Sequence, residues 1–135
     1  MTKLLNISEA ASIAIHSLAL ISNSKKFLNA GEMADMLGFS KNHMAKILQI
    51  LVKYGYIYSE RGPKGGFRMK LLAEDISLLE IFELIEGKLD DGHCNHKRED
   101  CPFEDCVYGG VSYDLTSRFK DFFANKKLSE ITTKK

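Results

Sequence analysis

No stretch of this chain approaches the roughly 20 consecutive apolar residues that a membrane-spanning helix needs. Its opening, MTKLLNISEAAS, has neither the charged-then-apolar layout nor the small-residue cleavage site of a secretory signal. Together these absences predict a cytoplasmic protein with no membrane partner. Cysteine is scarce and odd in number, and three residues cannot form a closed set of disulfides. In a reducing compartment such thiols serve as metal ligands, redox sensors or inert core residues. The chain carries no phosphate-cradling P-loop, no G-x-S-x-G elbow and no H-E-x-x-H helix, so nothing in it announces an enzyme. His16, at helical spacing in the first apolar segment, reads as a polar-face residue rather than a base. Internal repeats and low-complexity segments are absent as well. Net charge is only +1 over 135 residues, and the 44% hydrophobic composition suffices for one domain with a buried core.

That near-neutrality hides a segregation of charge. Residues 38–72 hold Lys41, Lys46, Lys53, Arg61, Lys64, Arg68 and Lys70 against a single acid, Glu60. The segment is therefore +6 and the rest of the chain −5. A basic island on an otherwise acidic protein suggests a face that meets a polyanion.

The island falls on a recognisable order of elements. Asn6 and Glu9 have capping-box spacing and predict a first helix through Ile7, Ala10, Ala11, Ala14, Leu18 and Ile21, broken at Asn23-Ser24. Asn29 and Glu32 repeat the spacing and open a short helix with Met33, Ala34 and Leu37 on one face, stopped by Gly38. Ser40 then caps a third helix that buries Met44, Ile47, Leu48 and Leu51 and exposes Lys41, Asn42, His43, Lys46, Gln49 and Lys53. Two helices joined by so short a turn make a helix–turn–helix unit. After Gly55, the β-formers of 56–61, the turn Gly62-Pro63-Lys64-Gly65-Gly66 and the run 67–70 predict a hairpin, the wing. Ser77 and Glu80 form a third capping box, and Leu78, Leu79, Ile81, Phe82, Leu84 and Ile85 fill the helix that Gly87 ends. Residues 90–110 lack periodicity and contain every cysteine. Val111, Leu115, Phe119, Phe122 and Phe123 mark a last amphipathic helix, and the lysine-containing tail is expected to fray.

The expected fold is thus mainly α with a small β-hairpin wing. A winged helix–turn–helix domain occupies 1–87, with its recognition helix near 40–54 and its wing near 56–70. A cysteine-containing loop follows at 88–110, a dimerisation helix at 111–128 and a tail at 129–135. The first residues of a recognition helix reach base edges in the major groove. Here they are Ser40, Lys41, Asn42 and His43, with Lys46 one turn on. Asn42 can pair bidentately with adenine, His43 can donate or accept, and the lysines suit phosphates. On the wing, Arg61, Lys64 and Arg68 surround a tip whose Gly65 and Gly66 let backbone approach a phosphate or the minor groove. The alternative is a solvated helix face and a soluble hairpin. The phenylalanine stripe of the last helix can close the domain's own core or pack on a second subunit. In a dimer, two recognition helices about 34 Å apart would suit a palindromic operator in double-stranded DNA.

Cys94, Cys101 and Cys106 are spaced C-x6-C-x4-C within 13 residues. Three thiolates converging on a loop leave one tetrahedral position open at zinc, or one iron site in a cluster, with His93 and His96 nearby. No C-x-x-C pair is present, so the zinc-finger pattern is missing. The acidic neighbours Asp90, Asp91, Glu99, Asp100, Glu104 and Asp105 do not stabilise a reactive thiolate and fit a bound metal better. Three unligated cysteines on a surface loop remain the plain alternative.

The segment Ser40-Lys41-Asn42-His43-Met44-Ala45-Lys46-Ile47, the wing Arg61-Gly62-Pro63-Lys64-Gly65-Gly66-Phe67, the stretch 76–81 and the clustered cysteines together resemble the bacterial regulators that include IscR, NsrR and CymR. The Ser-Lys-Asn-His-Met segment looks most like the nitric-oxide-responsive NsrR branch. The resemblance covers nearly the whole chain. It implies a homodimeric winged-helix transcription factor, probed through a 2Fe–2S or 4Fe–4S cluster held by Cys94, Cys101 and Cys106. Its operator affinity, as a repressor in the first instance, would answer to redox state, nitric oxide or cluster supply. The IscR branch places a histidine three residues after its third cysteine, where this chain has Gly109. The NsrR-like branch can use an acidic residue near the start of the first helix, contributed by the partner subunit, and the matching position is Glu9. Two other expectations stand beside this one: a zinc- or thiol-based redox sensor on the same scaffold, and a cluster-independent module controlled by a partner protein.

Overall fold

Three short-range capping signals set the second, third and fourth helices. The computed structural model describes residues 7–90 and 98–134. Helix α2 (Ala30–Leu37) begins with the full Asn29/Glu32 capping box and ends at Gly38, which is left-handed at φ 77°. Helix α3 (Lys41–Lys53) begins where the Ser40 hydroxyl accepts from the His43 N–H. Helix α4 (Leu78–Glu86) begins with the Ser77/Glu80 box. Each such cap contributes about 1 kcal/mol by satisfying an otherwise orphaned N–H. Helix α1 (Glu9–Asn23) differs from expectation: its cap is Ser8, whose hydroxyl accepts from the Ala11 N–H at 3.0 Å. Glu9 is the first residue of the helix, and Asn6 lies outside the described residues.

Helix α1 is the central post. Ile13, Leu18 and Ile21 are fully buried on it and meet Met33 of α2, Met44, Leu48 and Leu51 of α3, and Ile81 of α4. Burying each of these side chains contributes about 1.5–3 kcal/mol. The buried Ser17 hydroxyl on α1 donates to the Met44 sulfur at 3.0 Å, which fixes the recognition helix to the post at mid-length. The wing is an antiparallel hairpin of β1 (Ile57–Glu60) and β2 (Gly66–Met69), with Ile57 opposite Met69 and Tyr58 opposite Arg68. Its tip-side half is widened by a bridge to the α1–α2 connection: the Phe67 N–H donates to Leu28 C=O at 2.8 Å, and Leu28 N–H returns the bond at 3.3 Å.

Helix α5 (Val111–Asn125) lies on α4. Phe119 and Phe123 stack at 4.2 Å and both present edges to Phe82, at 5.3 and 6.0 Å. Part of the phenylalanine stripe therefore covers the domain's own core, while Phe122 is 59% exposed. The chain leaves α5 at Asn125 and is then pinned to the fold. Leu78 N–H donates to Lys126 C=O, Leu128 N–H donates to Ile76 C=O, and Leu128 is fully buried in the core. The Asn23 amide at the end of α1 donates to Ile131 C=O at 2.8 Å. Among the described residues no helix is long and apolar enough to cross a membrane.

Candidate nucleic-acid interface

The amphipathicity of α3 decides which side chains are offered outward. With Met44, Ile47, Leu48 and Leu51 turned to the core, Lys41, Asn42, Lys46, Gln49 and Lys53 are exposed, Ser40 is exposed beside them, and His43 is half-buried. The polar residues read from the sequence thus share one solvent face of one helix. His43 has a neighbour that sequence spacing did not reveal. Its Nδ1 lies 3.4 Å from the Glu9 carboxylate, at the first turn of α1. Ser8, one residue earlier, donates its hydroxyl to the Glu86 carboxylate at the end of α4. The start of α1 therefore touches both the recognition helix and the point where the chain leaves α4 for the cysteine loop. Lys41 leans back toward α2, its ammonium passing near Gly31. Where α3 hands over to the wing, the Tyr56 hydroxyl donates to Glu80 at 2.9 Å. Burial first, then that bond and the Glu80 charge, push the Tyr56 phenol up to about 12.

On the wing, Arg61 and Lys64 are exposed at the tip. The glycines also have packing tasks that sequence spacing did not reveal. A Cβ on Gly65 would sit 2.2 Å from the Glu60 carbonyl oxygen, so its smallness closes the turn. Gly66 is buried, holds φ 142° and packs its Cα against the Leu28 backbone, where a Cβ would lie 2.5 Å from the carbonyl carbon. Gly66 thus packs against the chain's own backbone. Arg68 is also committed within the protein: its guanidinium donates to Lys25 C=O at 2.6 Å and lies 5.8 Å over the Phe27 ring. Lys25 and Lys26, exposed in the α1–α2 connection, were not singled out from sequence because they lie outside the basic island.

Of the cysteines, Cys101 is half-buried and Cys106 exposed, whereas Cys94, with His93 and His96, lies outside the described residues. Among the described residues no group of three metal-ligating side chains converges. The donor chemistry present does suit an iron–sulfur centre. Two thiols stand on an irregular stretch beside exposed Phe103, Val107 and Tyr108, which could give such a centre the apolar cover that tunes its chemistry.

A helix–turn–helix with an exposed polar recognition face, followed by a glycine-closed hairpin, defines a winged-helix regulator. The chain belongs to the Rrf2 family, described as iron-dependent transcriptional regulator, whose model matches residues 7–134. It is similar to the HTH-type transcriptional regulator BadM of Rhodopseudomonas palustris, with 41% identity over 51% of this chain and 44% of that protein. It is also similar to the transcriptional regulator IscR of Vibrio parahaemolyticus, with 28% identity over 76% of this chain and 61% of that one. The chain thus spans about half to three fifths of the length of these two relatives. The solved structure of CymR, the global cysteine regulator of B. subtilis, shares the fold at a TM-score of 0.75 and 15% identity, covering 93% of this chain and 95% of that one. These proteins are transcriptional regulators and not enzymes, and DNA binding belongs with the family.

Proposed function

We propose that this chain is a cytoplasmic, homodimeric DNA-binding repressor whose operator affinity is set by an iron–sulfur cluster at its cysteine loop. Cys94, Cys101 and Cys106 would hold the cluster, with the partner subunit's Glu9 as a further ligand. Bound there, the cluster would supply iron–thiolate bonds sensitive to redox state and nitric oxide. Ser40, Asn42 and His43 read base edges, and Lys41, Lys46, Arg61 and Lys64 neutralise phosphates. The similarity of the recognition segment to the NsrR branch favours nitric oxide among the signals.

One observation carries the link between the two ends. The foot of the loop at Glu86 is bonded to Ser8, and Glu9, the next residue, meets His43 on the recognition helix. A shift of that foot reaches the base-reading face through two contacts, with no change required in the core. A coupling of about 1–3 kcal/mol would alter DNA affinity roughly 5–150-fold. The exposed Val111, Leu115 and Phe122 of α5 support the dimer, because that much apolar surface on one helix calls for a partner.

The test is anaerobic purification followed by visible absorption and iron, sulfide and zinc analysis, with operator binding measured on each form. Brown protein with iron and sulfide in cluster ratio, lost in Cys101→Ala, is the expected result. Colourless protein carrying zinc would replace the cluster with a structural metal or thiol sensor. Failure of anaerobic reconstitution, or a DNA affinity indifferent to cluster removal, would overturn the proposal.

A further inference from the structure

Arg68 sits at the root of the wing, directly across the hairpin from Tyr58. Phe27, from the connection between α1 and α2, meets both of them. Its ring stands edge-on to Tyr58 at 5.9 Å and 85°, and the Arg68 guanidinium lies over its face at 5.8 Å. The same guanidinium donates to Lys25 C=O, and the adjacent residue Leu28 forms the backbone bridge to Phe67. A planar cation both stacked and hydrogen-bonded is fixed in direction, which an ammonium on a flexible stem cannot reproduce. From these contacts we infer that Arg68 is a positioning residue. With Phe27 it clamps the wing at a fixed angle to the recognition helix, and the charge offered to a DNA phosphate at this spot is that of Lys25.

The inference rests on the reading that the wing meets DNA, and it assigns two residues of that surface a division of labour. Arg68 spends its guanidinium inside the protein. Lys25 is exposed, and its backbone is held in place by Arg68. Lys26 is less suited, because its ammonium lies 3.9 Å from Glu32. The clamp acts by preorganisation: without it the wing must be ordered on binding, while Arg61 and Lys64 still reach the same phosphates.

The whole chain would be tested against a duplex selected from a random-sequence pool by the wild-type protein. Arg68→Lys keeps the charge but loses the plane, and Phe27→Leu changes no charge at all. Both should weaken binding about fivefold or more while the slope of log affinity on log salt stays as in wild type. Lys25→Ala should instead reduce that slope by about one. Arg68→Lys binding like wild type, with Arg68→Ala lowering the slope by about one, would make Arg68 a phosphate contact and overturn the clamp. A normal slope for Lys25→Ala would remove Lys25 from the interface. Lys64→Ala separates the two levels of the argument. If it too leaves affinity unchanged, the wing does not meet DNA; if it behaves as a phosphate contact while Arg68→Lys and Phe27→Leu are silent, only the clamp fails. Unfolding midpoints identify a variant that has lost its fold, and Phe27→Leu then decides the question in place of Arg68→Lys.

Discussion

Tyr56 marks the joint between the recognition helix and the wing, and its hydroxyl reaches Glu80 on α4. The phenol is pushed up to about 12 from its ordinary 10, so the folded state favours the protonated form. The stability this contributes is present below pH 10 and is lost as pH rises through 12. Denaturant unfolding of wild type and Tyr56→Phe should therefore differ by about 1 kcal/mol at neutral pH and converge across that alkaline window. A difference that stays constant to pH 12 would show that neither burial nor the bond to Glu80 holds the Tyr56 phenol above its ordinary range in the folded state. On the recognition face, Asn42→Ala should relax base choice at one position of each half-site, whereas Lys64→Ala should weaken binding to all sequences alike and lower the salt slope by about one. Selection from a random pool, repeated at several salt concentrations, reads both; identical behaviour of the two variants would dissolve the distinction. At this scale the sequence was informative where a side chain bonds its own neighbourhood. Asn29, Ser40 and Ser77 act within three residues, so spacing alone revealed them. The contact between Arg68 and Lys25 spans 43 positions and leaves no local pattern.

The wing was the element most open to reading, because turn chemistry is confined to a few adjacent residues. Gly-Pro-Lys-Gly-Gly specifies a hairpin wherever it lies. What it could not reveal is the third backbone segment beside β2, since Leu28 is separated from the hairpin by two helices. That segment gives Gly66 its strictest constraint. Gly66→Ala must accept both an unfavourable φ and a clash with the Leu28 carbonyl, at a cost of about 1–3 kcal/mol or more. Urea unfolding should show the loss, and a variant as stable as wild type would mean that the bridge yields easily. The start of α1 was misread for the opposite reason: Asn6 and Ser8 are both good caps, and only the Ser8 bond to Ala11 identifies the one in use. Leu128 was read as the end of the last helix, because a single leucine among lysines and polar residues shows no period of its own. Its order comes from pairing with Ile76 across the fold. Leu128→Ala should cost about 2–5 kcal/mol, far above a substitution in a loose end, and an unfolding midpoint unchanged by it would return the tail to that status.

For the molecule as a whole, the apolar surface of α5 sets the expected assembly. Phe119 and Phe123 are occupied by Phe82, whereas Leu115 is 49% and Phe122 59% exposed. The pair Leu115→Glu and Phe122→Glu should give a folded monomer in sedimentation and abolish tight binding to a two-half-site duplex. A variant that remains dimeric would move the subunit contact to another surface. The periodicity of this helix was legible, but which of its phenylalanines pack on Phe82 and which stay exposed was not, because the stripe is built of one residue type.

The chain between α4 and α5 is held at both feet. Ser8 grips Glu86 at one end, and at the other α5 is packed on Phe82 and pinned beyond its end by the pairing of 126–128 with 76–78. A segment anchored in this way can lengthen, shorten or change composition while the reading head it serves stays intact, since adding residues to a loop costs only a slowly growing entropy. The arrangement behaves as an exchangeable cartridge. Under the proposed function, a change in what the segment detects leaves the recognition face and the DNA sequence it reads untouched.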